Sequence, residues 1–421
     1  MKEGTELKHI LNHAKKYLTK IIYLAFIAVI VGVIGGIIGA ALHKSVDLAT
    51  LHRTNNPYLI YFLPVVGLAI IFVYKSVGLS TDPGTSKVIS SVYAKEEIPG
   101  KMAPSIFFAT TLTHLFGGSA GRAGAALQVG GAIGSTIGKL IKIDNKTMPL
   151  IVLCGMSAVF SAVFGTPLTS VIFTIEMCCV GYIFEAAFIP CFISSYIALY
   201  FSILFGNTPI KFHLLSVPDT NIHTILQVVL LGAGCAVISI LFCYVMKTVH
   251  INAKKMIKND YLRIFTGGVL IVLLTILCRS YDYNGTGIHI IENATNGNAL
   301  PYSFLLKILF TAITIGFGFK GGEIMPTLFI GATFGCVIGP ILNIPSSFAA
   351  ATGIVAMFAG VVNCPIASII LALELFGGEG MLLYAAAIFT SHALSGYTGL
   401  YSNQKIVFSK NSFETLDIKT K

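Results

Sequence analysis

The chain is a string of apolar stretches, many of them too short to cross a bilayer, and this limits its fold more than any other feature. They fall near 21–42, 58–78, 103–116, 124–141, 148–164, 168–206, 223–246, 264–278, 302–317, 324–342, 347–362, 366–376 and 380–399. A full helical span needs about 20 residues. Shorter segments interrupted by Gly and Pro survive in a membrane only where protein or a watery cavity covers their backbone. Broken and re-entrant helices are therefore expected. Hydrophobic residues make up 55% of the 421 and charged residues 11%, against roughly a quarter charged in a soluble domain. An all-α polytopic membrane protein follows. Soluble enzymes, nucleic-acid binders and disordered hubs are set aside.

The formal net charge of +10 does not argue for nucleic acid, because the basic residues flank the apolar runs. Lys2, Lys8, Lys15, Lys16 and Lys20 precede the first run. Lys247, Lys254, Lys255, Lys258 and Arg263 share one connector, and Lys405, Lys410, Lys419 and Lys421 lie at the end. Lysine beside apolar spans marks cytoplasmic flanks. The nine cysteines sit mostly inside apolar runs, with no C-x-x-C and no pairing with His, so no metal, redox role or cofactor is expected. The run at 21–42 is too long for a signal-peptide core and reads as a retained span. The most polar connector, 280–298, is expected to be an exposed loop. No separate soluble domain is expected.

Self-comparison reveals a duplication. Shifting by 201 residues aligns 117–134 with 318–335, and Gly117/Gly318, Gly121/Gly322, Leu127/Leu328, Gly130/Gly331 and Gly134/Gly335 coincide. A shift of 198 aligns 155–177 with 353–375, where eight of 23 positions are identical, including Pro167/Pro365, Ser170/Ser368 and Glu176/Glu374. Two repeats, 1–210 and 211–421, are expected to form one membrane domain. Duplicated halves with broken helices at matching places point to a transporter whose site lies at the repeat interface.

The chemistry concentrates where the repeats begin a glycine-rich helix. Gly118-Ser119-Ala120-Gly121-Arg122-Ala123-Gly124 opens one apolar helix, and Gly321 to Pro326 opens another. Small residues expose backbone N–H groups, and a helix N-terminus carries partial positive charge. Such a start holds an anion without a full counter-charge, so the ion can leave again. Two starts facing one point would make an anion site.

These residues carry a resemblance. Gly121-Arg122-Ala123-Gly124, followed by Gln128-Val129-Gly130-Gly131, resembles the G-R/K-E-G-P anion-site motif of the CLC family of chloride channels and proton-coupled anion transporters. Gly321-Gly322-Glu323-Ile324-Met325-Pro326 resembles its G-G-x-F-x-P motif. Ser80-Thr81-Asp82-Pro83-Gly84-Thr85-Ser86 is similar to the first anion loop, usually G-S-G-I-P, and Gly399-Leu400-Tyr401-Ser402 resembles the segment bearing an anion-coordinating tyrosine. The resemblance implies a CLC-type fold of two inverted-topology repeats. It also implies a homodimer with separate pathways in the cell membrane, both termini cytoplasmic. The anion-binding residues it implies are Pro83, Gly84, Thr85, Ser86, Gly121, Arg122, Gly124, Ile324, Met325 and Tyr401.

Three departures from the family pattern matter. Pro83 stands where a loop serine would coordinate chloride, and Glu323 stands where an apolar residue is usual. Both are similar to the fluoride/proton antiporter branch, which implies fluoride export, with chloride or a broader anion set as the alternative. Fluoride holds its hydration shell more tightly than chloride and demands strong donors, and a protonated carboxyl is one. The third departure is Ala123, at the position of the family's gating glutamate. Either alanine is a substitution in an antiporter, or the protein conducts anions without that gate. Poor coupling to protons is expected in both cases.

Other residues have plainer roles. Glu323 and Glu176 are candidates for proton transfer, but Glu176 and Glu374, one per repeat, also suit capping of broken-helix backbone. Met177 fills the place of the inner proton glutamate found in many family antiporters. Arg122 suits a field-setting charge as well as a ligand, and His114 reads as a satisfied helix histidine. A neutral-solute channel would also use duplicated halves, but glycine-rich starts and the lack of paired midplane histidines speak against it. No Ser/His/Asp set, metal-ligand cluster or suitably spaced carboxylate pair suggests a membrane enzyme.

Overall fold

The computed structural model describes residues 2–79, 84–94, 96–410, 412 and 414–420, with side chains from residue 11 onward. Pro83 and the three residues before it lie outside the described residues. The fold is helical. It runs α1 (Lys2–Asn55), α2 (Leu63–Ser76), α3 (Thr85–Ala94), α4 (Met102–Leu115), α5 (Ala123–Leu140), α6 (Met148–Phe164), α7 (Pro167–Glu176) and α8 (Phe188–Leu204). Then come α9 (Ile222–Met256), α10 (Asp260–Cys278), α11 (Ile288–Thr295), α12 (Ser303–Gly316) and α13 (Ile324–Ile338), followed by α14 (Ser346–Val362), α15 (Pro365–Phe376) and α16 (Met381–Leu394). Three short strands, β1 (Cys179–Val180), β2 (Lys405–Phe408) and β3 (Thr415–Lys419), form one sheet in that order, with β1 parallel to β2 and β2 antiparallel to β3.

Among the described residues, five helices are long and apolar enough to cross a membrane, in the stretches Leu11–Asn55, Pro57–Ser76, Glu185–Leu204, Ile222–Met256 and Asp260–Cys278. The shorter apolar helices include α6, α7, α13, α14 and α15. Among these, α6, α13 and α14 are buried on nearly every face, as is α5. Protein therefore covers the backbone that a short helix could not safely show to lipid. Glycine makes this packing possible. A Cβ on Gly130 of α5 would come 2.2 Å from the Gly155 carbonyl oxygen of α6, and one on Gly331 of α13 would come 2.3 Å from that of Gly353 in α14. The two crossings use repeat-related glycines.

A second correspondence links α7 and α15. Each begins with proline, which suits a first turn whose N–H has no intrahelical partner. The next two N–H groups of α7, from Leu168 and Thr169, donate to the Glu374 carboxylate at 2.9 and 2.8 Å. Those of α15, from Ile366 and Ala367, donate to the Glu176 carboxylate at 3.2 and 2.8 Å. Each glutamate lies in the last turn of one helix and caps the other.

Three expectations change. The first span is the core of a 54-residue helix, about 80 Å long at 1.5 Å per residue. The apolar stretch 168–206 is divided by β1 and by Gly181, whose φ is +83°. The connector 280–298 is not an exposed loop: it contains α11, and Tyr283, Asn284, Ile291 and Ala294 are buried. Its polar atoms have partners far away in the chain, as the Asn284 amide donating to Gly117 O at 2.8 Å shows.

Candidate anion site

The glycine-rich starts of α5 and α13 meet. Gly121 N donates to Gly322 O and Gly322 N to Gly121 O, both at 2.6 Å, forming an isolated antiparallel bridge. Only bare glycine fits here. A Cβ on Gly322 would come 2.2 Å from Gly124 N, and one on Gly121 would come 2.7 Å from Met325 Cβ. Arg122 and Glu323 occupy the positions before the two helices, and neither caps the turn that follows with its side chain. The leading N–H groups of both helices are thus left to an outside acceptor, and their dipoles favour a negative one.

A third helix start lies beside them. Gly84 takes a positive φ of 67° immediately before α3. Thr85 opens α3, buried, and its Oγ1 accepts from Gln128 Nε2 of α5 at 3.2 Å. Ser86 reaches the C-terminal segment, with its Oγ 3.4 Å from Ser402 Oγ and its carbonyl accepting from Asn403 Nδ2 at 3.2 Å. Tyr93 of α3 also donates its hydroxyl to the Asn403 carbonyl. The segments around Thr85, Gly121, Gly322 and Tyr401 are therefore brought together.

Tyr401 is 2% exposed, and its hydroxyl has no hydrogen-bond partner among the described residues. The Oε2 of half-buried Glu323 is in the same condition. The two side chains lie within electrostatic range of each other. A buried polar group without a partner is costly, and these two leave hydrogen-bonding capacity beside the uncapped helix starts that an anion could use. Ile324 and Met325 form the first turn of α13 and are buried, as is Ala123 at the head of α5. Ala123 brings no charge to this point.

Arg122 is engaged elsewhere. Its guanidinium pairs with Asp47 of α1 at 2.6 Å, and Asp47 pairs with His43 at 2.9 Å. His43 Nδ1 in turn lies 2.7 Å from Val163 O. The sequence gives little sign of Asp47 and His43 beyond an i,i+4 His/Asp pair just after the first apolar run. Gln404 is as hard to see there. Fully buried, it donates to Met177 O at 3.0 Å and Val362 O at 2.8 Å, three residues beyond Tyr401. His114 is buried, with Nδ1 2.8 Å from Thr110 O.

Comparison with known proteins adds the lineage. Residues 66–396 match the voltage gated chloride channel family. A chloride/fluoride channel protein of Pseudomonas syringae pv. tomato is 33% identical over 403 residues, covering 94% of this chain and 88% of that protein. The H(+)/Cl(-) exchange transporter ClcA of Vibrio cholerae is 28% identical over 282 residues, covering 62% of this chain and 59% of that protein. The crystal structure of a CLC-type fluoride/proton antiporter superposes with a TM-score of 0.88 at 28% identity, covering 91% of this chain and 98% of that one. A slow cyanobacterial Cl-/H+ antiporter shares the fold at a TM-score of 0.77 and 18% identity, covering 88% and 94%. Fold, joined helix starts and sequence agree over most of the length: the chain belongs to the voltage gated chloride channel (CLC) family and is a multi-pass membrane protein.

Proposed function

We propose that this protein moves fluoride across the cell membrane, holding the ion between the starts of α5 and α13 with Thr85 and Tyr401 at its sides. The carrying observation is the Gly121–Gly322 bridge with the unpartnered Tyr401 hydroxyl and Glu323 oxygen beside it. A relative named as a chloride/fluoride channel and a structural neighbour that is a fluoride/proton antiporter support the choice of ion. So does the chemistry, since a protonated Glu323 and the Tyr401 hydroxyl are strong donors to a tightly hydrated anion. Gly84, Ser86, Gly121, Gly124, Ile324 and Met325 complete the surround, and Arg122 acts by its charge.

Each of the repeats 1–210 and 211–421 contributes one principal helix start. Both termini face the cytoplasm, two chains form a dimer with separate pathways, and export is the direction that protects a cell. Glu323 is the group placed to exchange a proton with the ion, whereas Glu176 is occupied as a helix cap. With Ala123 in place of a gating carboxylate, fluoride moves with little proton coupling, and a channel-like flux is the second reading that this residue favours. Fluoride and chloride efflux from vesicles holding the purified protein, with pH recorded, tests this. Fluoride should leave faster, with little proton movement. Chloride efflux equal to fluoride efflux would refute the choice of ion, and near-stoichiometric proton uptake would refute the loss of coupling.

A further inference from the structure

Two cations lie buried behind the joined helix starts with no acidic partner. Lys307 of α12 is fully buried, and Arg53, in the last turn of α1, is 6% exposed. Neither takes part in an ion pair among the described residues. The Lys307 ammonium donates to Tyr283 O at 3.1 Å and Gly285 O at 2.8 Å, and it lies 5.0 Å from the centre of the Phe329 ring. Arg53 approaches the same loop: a Cβ on Gly285 would come 3.0 Å from its guanidinium. The Arg53 Nε is buried without a hydrogen-bond partner.

The surroundings supply little negative charge. Arg53 is within electrostatic range of Lys307 and of His114, and His114 is also within range of Arg122. Asp47 is the carboxylate at this end of α1, and Arg122 and His43 already share it. Asp282, in the loop itself, is turned to His289. Burying a charge away from a partner is expensive, and placing like charges together adds to the cost. The two carbonyl acceptors and the ring face favour the ammonium form of Lys307, against the cost of burial and of the nearby Arg53.

The loop that these cations hold is tied to the anion position. Gly285 N donates to Gly118 O at 3.0 Å. The next residue, Ser119, donates its N–H to Thr314 Oγ1 at 3.0 Å, and its hydroxyl lies 3.1 Å from Thr311 Oγ1. Thr311 and Thr314 follow Lys307 by one and two turns on α12, and Gly121 is two residues beyond Ser119. The charges are thus fixed within a few helical turns of the Gly121–Gly322 bridge, on a rigid frame.

We propose that Arg53 and Lys307 are positioning residues that set a fixed positive field at the anion site, raising its occupancy without touching the ion. This rests on the anion-transport reading above. The test is calorimetric titration of fluoride into the purified full chain, with vesicle efflux kinetics, for wild type, Lys307→Met, Arg53→Met and Arg53→Lys. Removing either charge should raise Kd and KM about tenfold, the size of one unit charge acting over roughly 10 Å at an effective dielectric constant of about 20. The kcat should stay within about twofold, and Arg53→Lys should stay near wild type. If wild type binds neither fluoride nor chloride, the transport reading itself fails. If wild type binds and both methionine variants keep its Kd, the field assignment alone is overturned. A fall in kcat at unchanged KM overturns it too, as does failure of both variants to fold, because either result assigns the pair to structure.

Discussion

Glu176 and Glu374 cap each other's helix partners: the first accepts from Ile366 and Ala367 of α15, the second from Leu168 and Thr169 of α7. Each alanine variant leaves two helix-start N–H donors without their acceptor, one of each pair, Ala367 or Thr169, on a buried residue. A buried unmet donor costs about 1–3 kcal/mol, so Glu176→Ala and Glu374→Ala should each clearly lower the thermal unfolding midpoint in detergent. Glutamine keeps one acceptor oxygen and should lose less. A proton-relay role for Glu176 would show differently, as altered proton movement in Glu176→Gln without loss of stability.

Restoring a carboxylate at the head of α5 should change coupling. Ala123 is fully buried at the first position of that helix, beside Gly322. Ala123→Glu is expected to make proton movement follow fluoride flux in vesicles and to slow the uncoupled component. Unchanged proton movement would remove the gate assignment from this position.

Tyr401→Phe separates binding from folding. The hydroxyl has no protein partner among the described residues, so its loss should leave the unfolding midpoint within the range of an ordinary surface change. A hydrogen bond to a charged group contributes about 1.5–3 kcal/mol, which is roughly a ten- to hundredfold weakening of fluoride binding. Calorimetry on the two proteins measures both effects.

Glu323 should act as a donor rather than as a charge. Glu323→Gln keeps an N–H donor near the place of the unpartnered oxygen and should still bind fluoride, within about tenfold of wild type. Glu323→Leu should bind much more weakly, at a similar size and lower polarity. Equal loss in both variants would point to the charged carboxylate instead.

The repeat made the centre of this fold legible. Gly121 and Gly322 aligned in sequence and they bridge in space, because a close crossing of two backbones admits little besides glycine. The cap pair was legible for a similar reason, since Glu176 and Glu374 fall at equivalent places. What hydropathy missed are features whose causes lie far apart in the chain. Asn284 and Tyr283 sit in a polar connector, yet Gly117 and Lys307 draw them inside. Arg122 gave no hint of Asp47, 75 residues away. The ends of α1 were invisible because hydropathy reports the part that meets lipid, while the Lys- and His-containing flanks are equally able to stay helical. The break at β1 hid in a continuous apolar run because the strand pairs with Lys405 and Ile406 near the C-terminus.

Fluoride titrated into Gly322→Ala reads out the shared cradle itself. A methyl there would meet Gly124 N at 2.2 Å and must push the two helix starts apart. Protein that keeps its helical signal and single elution peak should lose most of the binding shown by wild type, which should take up one fluoride per chain. Wild-type affinity in folded Gly322→Ala protein would mean that the ion is held somewhere else.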